Sequence, residues 1–547
     1  MMNNENQNNI EDKPEDKTEG YKSNEEKIPD KRIIENKNSD KSTNRNHLTE
    51  DKNIEEKFSE SVSNGYIAPE TKLHDDKQVE EKKSENIPAE IDYNKTLYSN
   101  ARSCAVKILC RCERSDAYLN KLIDSELRNS NLNDFDKSLL NELTHGVIRW
   151  LRRLDWFLNG FYRGQYEKCL PEVKNAMRVA LYQILFLNKI PYSAAVNEAV
   201  EFIKKIRDDK HAGVVNGLLR TIIRTLDALV WPTREIDEVN YLGIIQSHPN
   251  WMVRRWITRF GFDDAQKLCE ANNKRPFITL RVNKTKIKNE DLARHLNEKN
   301  ILFRQGNYLD YFFSIKVMSK IYENDFFKKG YFTVQDESAG LISHLVAPRE
   351  DELILDVCSA PGGKSSHMYE LMNGKGKIVA IEKYSSRTDT MKKNFDRLGM
   401  ENILAFQEDI NEPKTDLFKN KLIGKANKVL VDAPCSGLGV LSKKPDIKWK
   451  RESEDIYKLQ KLQLEILDLA SKYVKPGGAL IYSTCTTESD ENSDVIHKFL
   501  ENHSEFVVDN AKNYIPDNVV NDEGFFEVFP HIHNIDGAFG ARLLKKP

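Results

Sequence analysis

The run Leu353-Ile-Leu-Asp-Val-Cys-Ser-Ala-Pro-Gly-Gly-Lys364 decides the fold. Leu353–Val357 is short, apolar and bounded by turn residues, the signature of a buried strand. Gly362 and Gly363 then let the backbone turn sharply and approach a ligand, and a helix opens behind them. The first N–H groups of that helix have no partner within it, so its N-terminus attracts a carboxylate or phosphate. Outward from this run the pattern repeats. Ile378–Glu382, Ile403–Gln407, Lys428–Asp432 and Ala479–Ser483 also read as strands. Helical runs separate them, notably Glu454–Val474, capped by Ser453 and ended by Pro476-Gly-Gly. Alternating strands and helices over 341–547 predict a doubly wound, Rossmann-like parallel sheet with its ligand at the carboxyl ends of the strands.

Two ligand classes compete for the glycine turn. A phosphate-binding nucleotidase loop needs G-x-x-x-x-G-K-[ST]. Gly363-Lys364-Ser365 fits its end, and Val429-Leu-Val-Asp432 resembles a magnesium-binding strand. The first glycine, however, should stand where this chain has Cys358. An adenosine-containing cofactor instead wants an acidic residue at the end of the second strand, about 20 residues after the glycines, to hold the ribose hydroxyls. Glu382 meets that requirement, Asp409 follows the third strand and Asp432 ends the fourth. One such acid would be an ordinary loop residue; three at successive strand ends favour the cofactor.

Cysteines stand just past two further strand ends, in Asp432-Ala-Pro-Cys435-Ser-Gly and Ser483-Thr-Cys485-Thr. A single Cys near a strand is usually a small core hydrophobe. Two of them at the mouth of one crevice point to nucleophilic thiolate chemistry.

The rest of the chain divides by composition. Residues 240–340 mix helix (Trp251 to Phe260, Lys288 to Asn297) with strand (Phe277-Ile-Thr-Leu-Arg-Val, Tyr331-Phe-Thr-Val-Gln), which fits a small α+β module. Residues 96–235 are all-helical. There Ala195, Ala199, Phe202, Ile203 and Ile206 share one face, and Met177 to Leu187 reads as a helix ended by Pro191. Residues 1–92 contain no Trp or Cys, too little apolar surface to offset chain entropy, and are expected to be a disordered tail. Residues 1–90 carry 15 basic and 23 acidic residues, leaving 68 against 62 for the remainder. The net charge of −2 is thus an acidic tail on a mildly basic body, compatible with a nucleic-acid partner. No apolar run is long enough to span a membrane, and the start lacks the basic and apolar regions of a secretory signal. Eight cysteines in 547 residues are no disulfide scaffold. A cytoplasmic protein with reduced thiols is expected.

Asp356–Lys364, Asp432–Gly437 and Ser483–Thr486 resemble the motifs of the S-adenosylmethionine-dependent RNA cytosine-5 methyltransferases. The likeness continues in Lys444-Pro-Asp-Ile-Lys-Trp449, Gln463-x-x-Ile-Leu, Glu488-x-x-Glu-Asn492, Thr333-Val-Gln-Asp-Glu-Ser-Ala339 and Ser247-His-Pro-Asn-Trp-Met-Val. Upstream, Gly146-Val-Ile-Arg-Trp150, Leu181-Tyr-Gln-Ile-Leu, Ile190-Pro, Ala194-Ala-Val-Asn-Glu198 and Val215-Asn-Gly-Leu-Leu-Arg220 resemble NusB-like RNA-binding domains. That pairing is similar to bacterial Sun/Fmu-type enzymes of 16S ribosomal RNA, over about residues 96–547. The resemblance implies Cys485 as nucleophile and Cys435 in product release. It implies Asp432 at the base edge, Lys364 beside the target base, and no metal. The cofactor would be held by Cys358, Ser359, Ala360, Pro361, Gly362, Gly363, Lys364, Glu382, Asp409 and Asp432. It further implies small-subunit ribosomal RNA as partner and a monomer. Ser359 stands where the family usually has Ala, and Glu382 where Asp is common. The C-terminal Asp536-Gly-Ala-Phe-Gly-Ala-Arg-Leu lacks the usual double Phe.

Other features keep two readings. Cys104, Cys110 and Cys112 share one helix without the paired spacing of a zinc site, and are expected to be packing residues. Arg149-Trp-Leu-Arg-Arg153 and Trp251-Met-Val-Arg-Arg-Trp256 interleave cations with aromatics, which suits either RNA stacking or buried Trp with solvated Arg. His531 and His533 are expected in a surface turn. Two rivals to the main reading also stand: the same chemistry on transfer RNA, and an idle RNA-binding or ribosome-assembly scaffold.

Overall fold

The computed structural model describes residues 97–98, 100–316 and 321–547, so the tail expected over 1–92 lies outside the described residues. Seven helices come first: α1 Ala101–Arg114, α2 Leu119–Asn129, α3 Asp134–Arg149, α4 Leu151–Phe161, α5 Pro171–Phe186, α6 Tyr192–Ile206 and α7 Asp209–Thr225. Helix α6 buries Ala195, Ala199, Phe202 and Ile203, the face expected from spacing. Pro171 sits in the first turn of α5, where its missing N–H costs nothing. That helix stops at Phe186, and Pro191 instead caps the start of α6. Cys104 and Cys110 are buried in α1, where burial pushes both thiols up to about 12. They pack the core.

Three helices follow, α8 Glu238–Ile245, α9 Asn250–Phe260 and α10 Phe262–Asn273. An antiparallel sheet comes next, built from β1 Ile278–Val282, β2 Phe303–Gln305, β3 Phe312–Ile315 and β4 Phe332–Val334 in the order β2-β3-β1-β4. It carries α11 Asn289–Glu298 and α12 Asp325–Lys328. The short β2 and β3 were not foreseen. Helix α13 Glu337–Val346 leads onward, capped by the Asp336 side chain, which accepts from Ser338 N at 3.0 Å. Position 340/341 falls inside this helix.

The large sheet holds β5 Leu353–Val357, β6 Lys377–Glu382, β7 Ile403–Gln407, β8 Ala426–Asp432 and β9 Val474–Thr484. These five run parallel in the order β9-β8-β5-β6-β7. The sheet is mixed rather than wholly parallel. β12 Ala538–Lys545 pairs antiparallel with β9, and β10 Phe506–Val508 and β11 Phe526–Val528 pair antiparallel with β12. Chain order reverses between β5 and β8, which opens a crevice at their carboxyl ends. Register then fixes what faces it: Val357 lies opposite Val431, and Asp432 opposite Ser483. Helices α14 Gly363–Leu371, α15 Ser385–Leu398, α16 Ile447–Lys450, α17 Ser453–Ser471, α18 Ser493–Asn502 and α19 Pro530–His533 complete the chain. Helix α17 is capped by Glu452 in a box with Asp455, not by Ser453. It ends at Ser471, and Pro476-Gly-Gly already belongs to β9.

Candidate active site

The loop after β5 is shaped by its backbone. Cys358 and Gly362 both adopt positive φ, 64° and 91°, and Gly362 N donates to Ser359 O. A Cβ at Gly362 would lie 2.6 Å from Phe395 Cε1, so only glycine fits. Burial pushes the Cys358 thiol up to about 12, which leaves its backbone as the useful part. Beneath the loop Asp356 is fully buried. It accepts from Ser359 Oγ (2.9 Å) and from Ser365 Oγ. Burial raises its carboxyl to about 7. Ala360 O accepts from Arg387 Nη2 and Pro361 O from Asn394 Nδ2. Gly363 O accepts from Arg281 Nη1 at 2.9 Å.

The three strand-end acids take different positions. Glu382 is 3% exposed; its Oε1 accepts from Tyr384 N (3.1 Å) and Arg387 Nη1 (3.4 Å), and its Oε2 lies 3.2 Å from the same Nη1. Asp409 pairs with Lys383 at 2.9 Å, and its carboxyl lies below the usual range. Burial alone would raise it, and the lysine with Asn411 N–H outweighs that. Asp432 accepts from Lys364 Nζ (2.7 Å) and Ser483 Oγ (2.9 Å). Burial disfavours the Lys364 ammonium, but the Asp432 carboxylate reverses this and raises its pKa.

Beyond Asp432 the two cysteines meet, Sγ to Sγ at 3.3 Å, with Cys485 N–H donating to Cys435 Sγ at 3.4 Å. Cys485 is exposed and Cys435 half-buried. The proton shared between them raises Cys435 well above the ordinary thiol value and lowers Cys485 below it. Lys444 and Lys364 also favour the Cys485 thiolate. The turn after Cys435 is pinned by Glu491, which accepts from Ser436 N (2.8 Å) and Gln463 Nε2 (3.0 Å). All the catalytic candidates therefore gather around one crevice, and Asp409 lies at the end of the neighbouring β7.

Two buried cations were given no role of their own by the sequence. Arg281, fully buried on β1, reaches Gly363 O, Ser366 Oγ (3.0 Å) and Glu370 Oε1 (2.7 Å). Lys448 is also fully buried. Nothing local marks Arg281 as special, and Lys448 stands out only as a member of the Lys444–Trp449 motif. The interleaved Arg/Trp stretches prove to be internal struts. Arg152 donates to His248 O and Asn250 Oδ1, and Arg255 Nε to Glu488 at 2.6 Å. Buried Trp256 donates to Glu488 at 3.0 Å. His531 and His533 lie in the single turn of α19. Among the described residues no group of His, Cys, Asp and Glu is arranged to hold a metal, and no helix is long and apolar enough to cross a membrane.

A five-stranded parallel core with a glycine-turn helix and strand-end acids defines an S-adenosylmethionine-dependent methyltransferase. Residues 343–544 match the family described as 16S rRNA methyltransferase RsmB/F. Residues 99–224 match the NusB family, and 248–318 the RsmF/B-like ferredoxin-like domain. The chain is 36% identical over 458 residues to the probable ribosomal RNA small subunit methyltransferase B of Bacillus subtilis, covering 82% of this chain and 99% of that one. It is 33% identical over 416 residues to ribosomal RNA small subunit methyltransferase B of Escherichia coli, covering 76% and 92%. The crystal structure of PH0851 superposes with a TM-score of 0.69 at 25% identity, covering 85% and 100%. The chain belongs to the RsmB/F family of 16S rRNA methyltransferases.

Proposed function

We propose that this protein methylates carbon 5 of a cytosine in 16S ribosomal RNA through a covalent bond between Cys485 and carbon 6 of the base. The observation that carries the reading is the thiol pair, 3.3 Å apart, beside the Lys364–Asp432 ion pair. A core cysteine has no need of a second thiol or of exposure.

S-adenosylmethionine, when bound, supplies an electrophilic methyl group. The donor set fits it: an open helix N-terminus suits its carboxylate, and Glu382, Asp409 and Asp432 suit its hydroxyl, amino and adenine donors. The backbone of Cys358, Ser359, Ala360, Pro361, Gly362, Gly363 and Lys364 lines the approach. Carbon 5 of cytosine is a poor nucleophile. Addition of the Cys485 thiolate to carbon 6, with a proton passed to N3 from the Lys364–Asp432 pair and returned to that pair on release, makes carbon 5 enamine-like. Asp432 holds the N3/N4 edge, and Lys364, which donates to that carboxylate at 2.7 Å, touches the base. Once carbon 5 carries the methyl group, a base removes its remaining proton. The S–C6 bond breaks, the Cys485 thiolate is restored, and Cys435 assists this release. The target base is reached from both faces, so it leaves its stack. The same reading takes residues 96–235 and 240–340 as RNA-positioning domains of a monomeric, cytoplasmic enzyme without a resident metal.

The test is methyl transfer from labelled S-adenosylmethionine to unmodified small-subunit ribosomal RNA, followed by nucleoside analysis. Label in 5-methylcytidine is expected, with none from Cys485→Ala and a denaturant-stable RNA adduct from Cys435→Ala. Label confined to transfer RNA overturns the substrate. Absence of label with cofactor bound overturns the activity.

A further inference from the structure

The segment that leads away from Cys435 does not stay in its own domain. Close to the site, Gly439 N donates to Cys485 O at 3.0 Å, and Gly439 O accepts from Gly537 N at 2.9 Å. A few residues on, Ser442 O accepts from Arg149 Nη2 at 2.9 Å, at the end of α3. Asp446 Oδ2 accepts from Leu119 N at 3.0 Å, at the start of α2. Trp449 Nε1 donates to Ile148 O at 2.7 Å, and Lys450 Nζ to Ala117 O at 2.6 Å. Between them Lys448 spends all three donors, on Arg149 O (2.8 Å), Ser247 O (2.9 Å) and Asn273 Oδ1 (3.2 Å).

Those three acceptors are neutral. Burial, with Arg149 nearby, pushes the Lys448 amine well below the ordinary lysine value, and an apolar side chain of similar length would pack there at less expense. What the amine adds is geometry. It locks one segment to the helical domain and to the helices after it at a single point. The apolar residues of the segment follow the same division. Leu438, Leu441 and Ile447 pack with Trp256 of α9. Trp449 packs on the core of the helical domain.

We propose that residues 442–450 are a positioning strap, by which the helical domain, gripping Lys448 and Trp449, sets the place of Cys435 opposite Cys485 and so governs release of the methylated RNA. The proposal rests on the reading that Cys485 forms the adduct and Cys435 resolves it. Lys448 and Trp449 touch neither substrate nor cofactor; they act through the strap.

The experiment uses the full chain in single turnover, with methyl transfer and decay of the denaturant-stable adduct followed separately. Trp449→Phe removes one hydrogen bond and keeps the ring's packing; Lys448→Met removes the triple anchor. Misplacing a reacting group by about 1 Å costs up to about 100-fold. Adduct decay is therefore expected to slow at least about 10-fold in each variant, with methyl transfer and cofactor affinity within about twofold. Equal slowing of transfer and decay, or no change in decay, overturns the strap. If Lys448→Met does not fold, Trp449→Phe alone decides. Cys435→Ala is run beside them. If it accumulates no adduct, the reading of the two cysteines has failed. If it does and Trp449→Phe decays normally, only the strap has.

Discussion

The lowered pKa of Cys485 comes from what surrounds a single sulfur atom. The Cys435 thiol shares its proton with it, and Lys444 and Lys364 add positive potential, while Asp432 opposes ionisation. The net effect lowers Cys485 and leaves Cys435 protonated. Because the thiolate is the reactive form, iodoacetamide near neutral pH should label Cys485 before any other cysteine. Its rate should rise with pH to a midpoint below the ordinary thiol value of 9.0. Cys435→Ala removes the sharing thiol and should move that midpoint upward, slowing labelling at neutral pH. Peptide mapping by mass spectrometry reads both effects, and preferential labelling of Cys435 would contradict the assignment. This pair was legible in the sequence because each cysteine follows a recognisable strand end. Its polarity was not, since the shift depends on a contact between residues 50 positions apart.

At the level of elements, the sheet core was legible because buried parallel strands are short apolar runs between turn signals. β5 and β7 have the expected bounds, β6 and β8 lengthen at their starts, and β9 lengthens at both ends. The short strands β2, β3, β10 and β11 were less so, because lateral pairing leaves little trace in three or four residues. Arg281 shows the same limit. On β1 it reads as an ordinary strand residue, yet it ties the small sheet to α14 through Gly363 O, Ser366 and Glu370. Burial raises the Glu370 carboxyl to about 7 despite the guanidinium. Arg281→Met strands that carboxyl and should cost about 3–5 kcal/mol, the usual penalty for breaking a buried pair. Calorimetry should then show the melting temperature falling by about 6 °C or more, and a fall under about 2 °C would mean the pair contributes little. Cofactor affinity should fall with it, because α14 begins at the residue Arg281 holds.

For the molecule as a whole, charge is divided along the chain. The first 90 residues carry eight more acidic than basic residues, and the remainder six more basic than acidic. An acidic segment tethered to an RNA-binding body repels the same phosphates the body attracts. Deleting residues 1–90 should leave kcat within about twofold and lower KM for RNA at low ionic strength, the difference shrinking as salt screens it. A large loss of kcat in that truncation would give the tail a catalytic part. The joints between domains were the least legible feature. Lys444-Pro-Asp-Ile-Lys-Trp449 stood out in the sequence, but its partners lie some 300 positions earlier. That distance has a meaning in time. The ribosome adds about 5–20 residues per second, so Ala117 emerges tens of seconds before Lys450, which lies 333 positions downstream. For that interval the nascent helical domain presents an unfilled socket, its carbonyls at Ala117, Ile148 and Arg149 wet and its seam open. Birth order thus makes the helical domain a template. It is synthesised before Cys435 and Cys485, and residues 442–450 close against it afterwards.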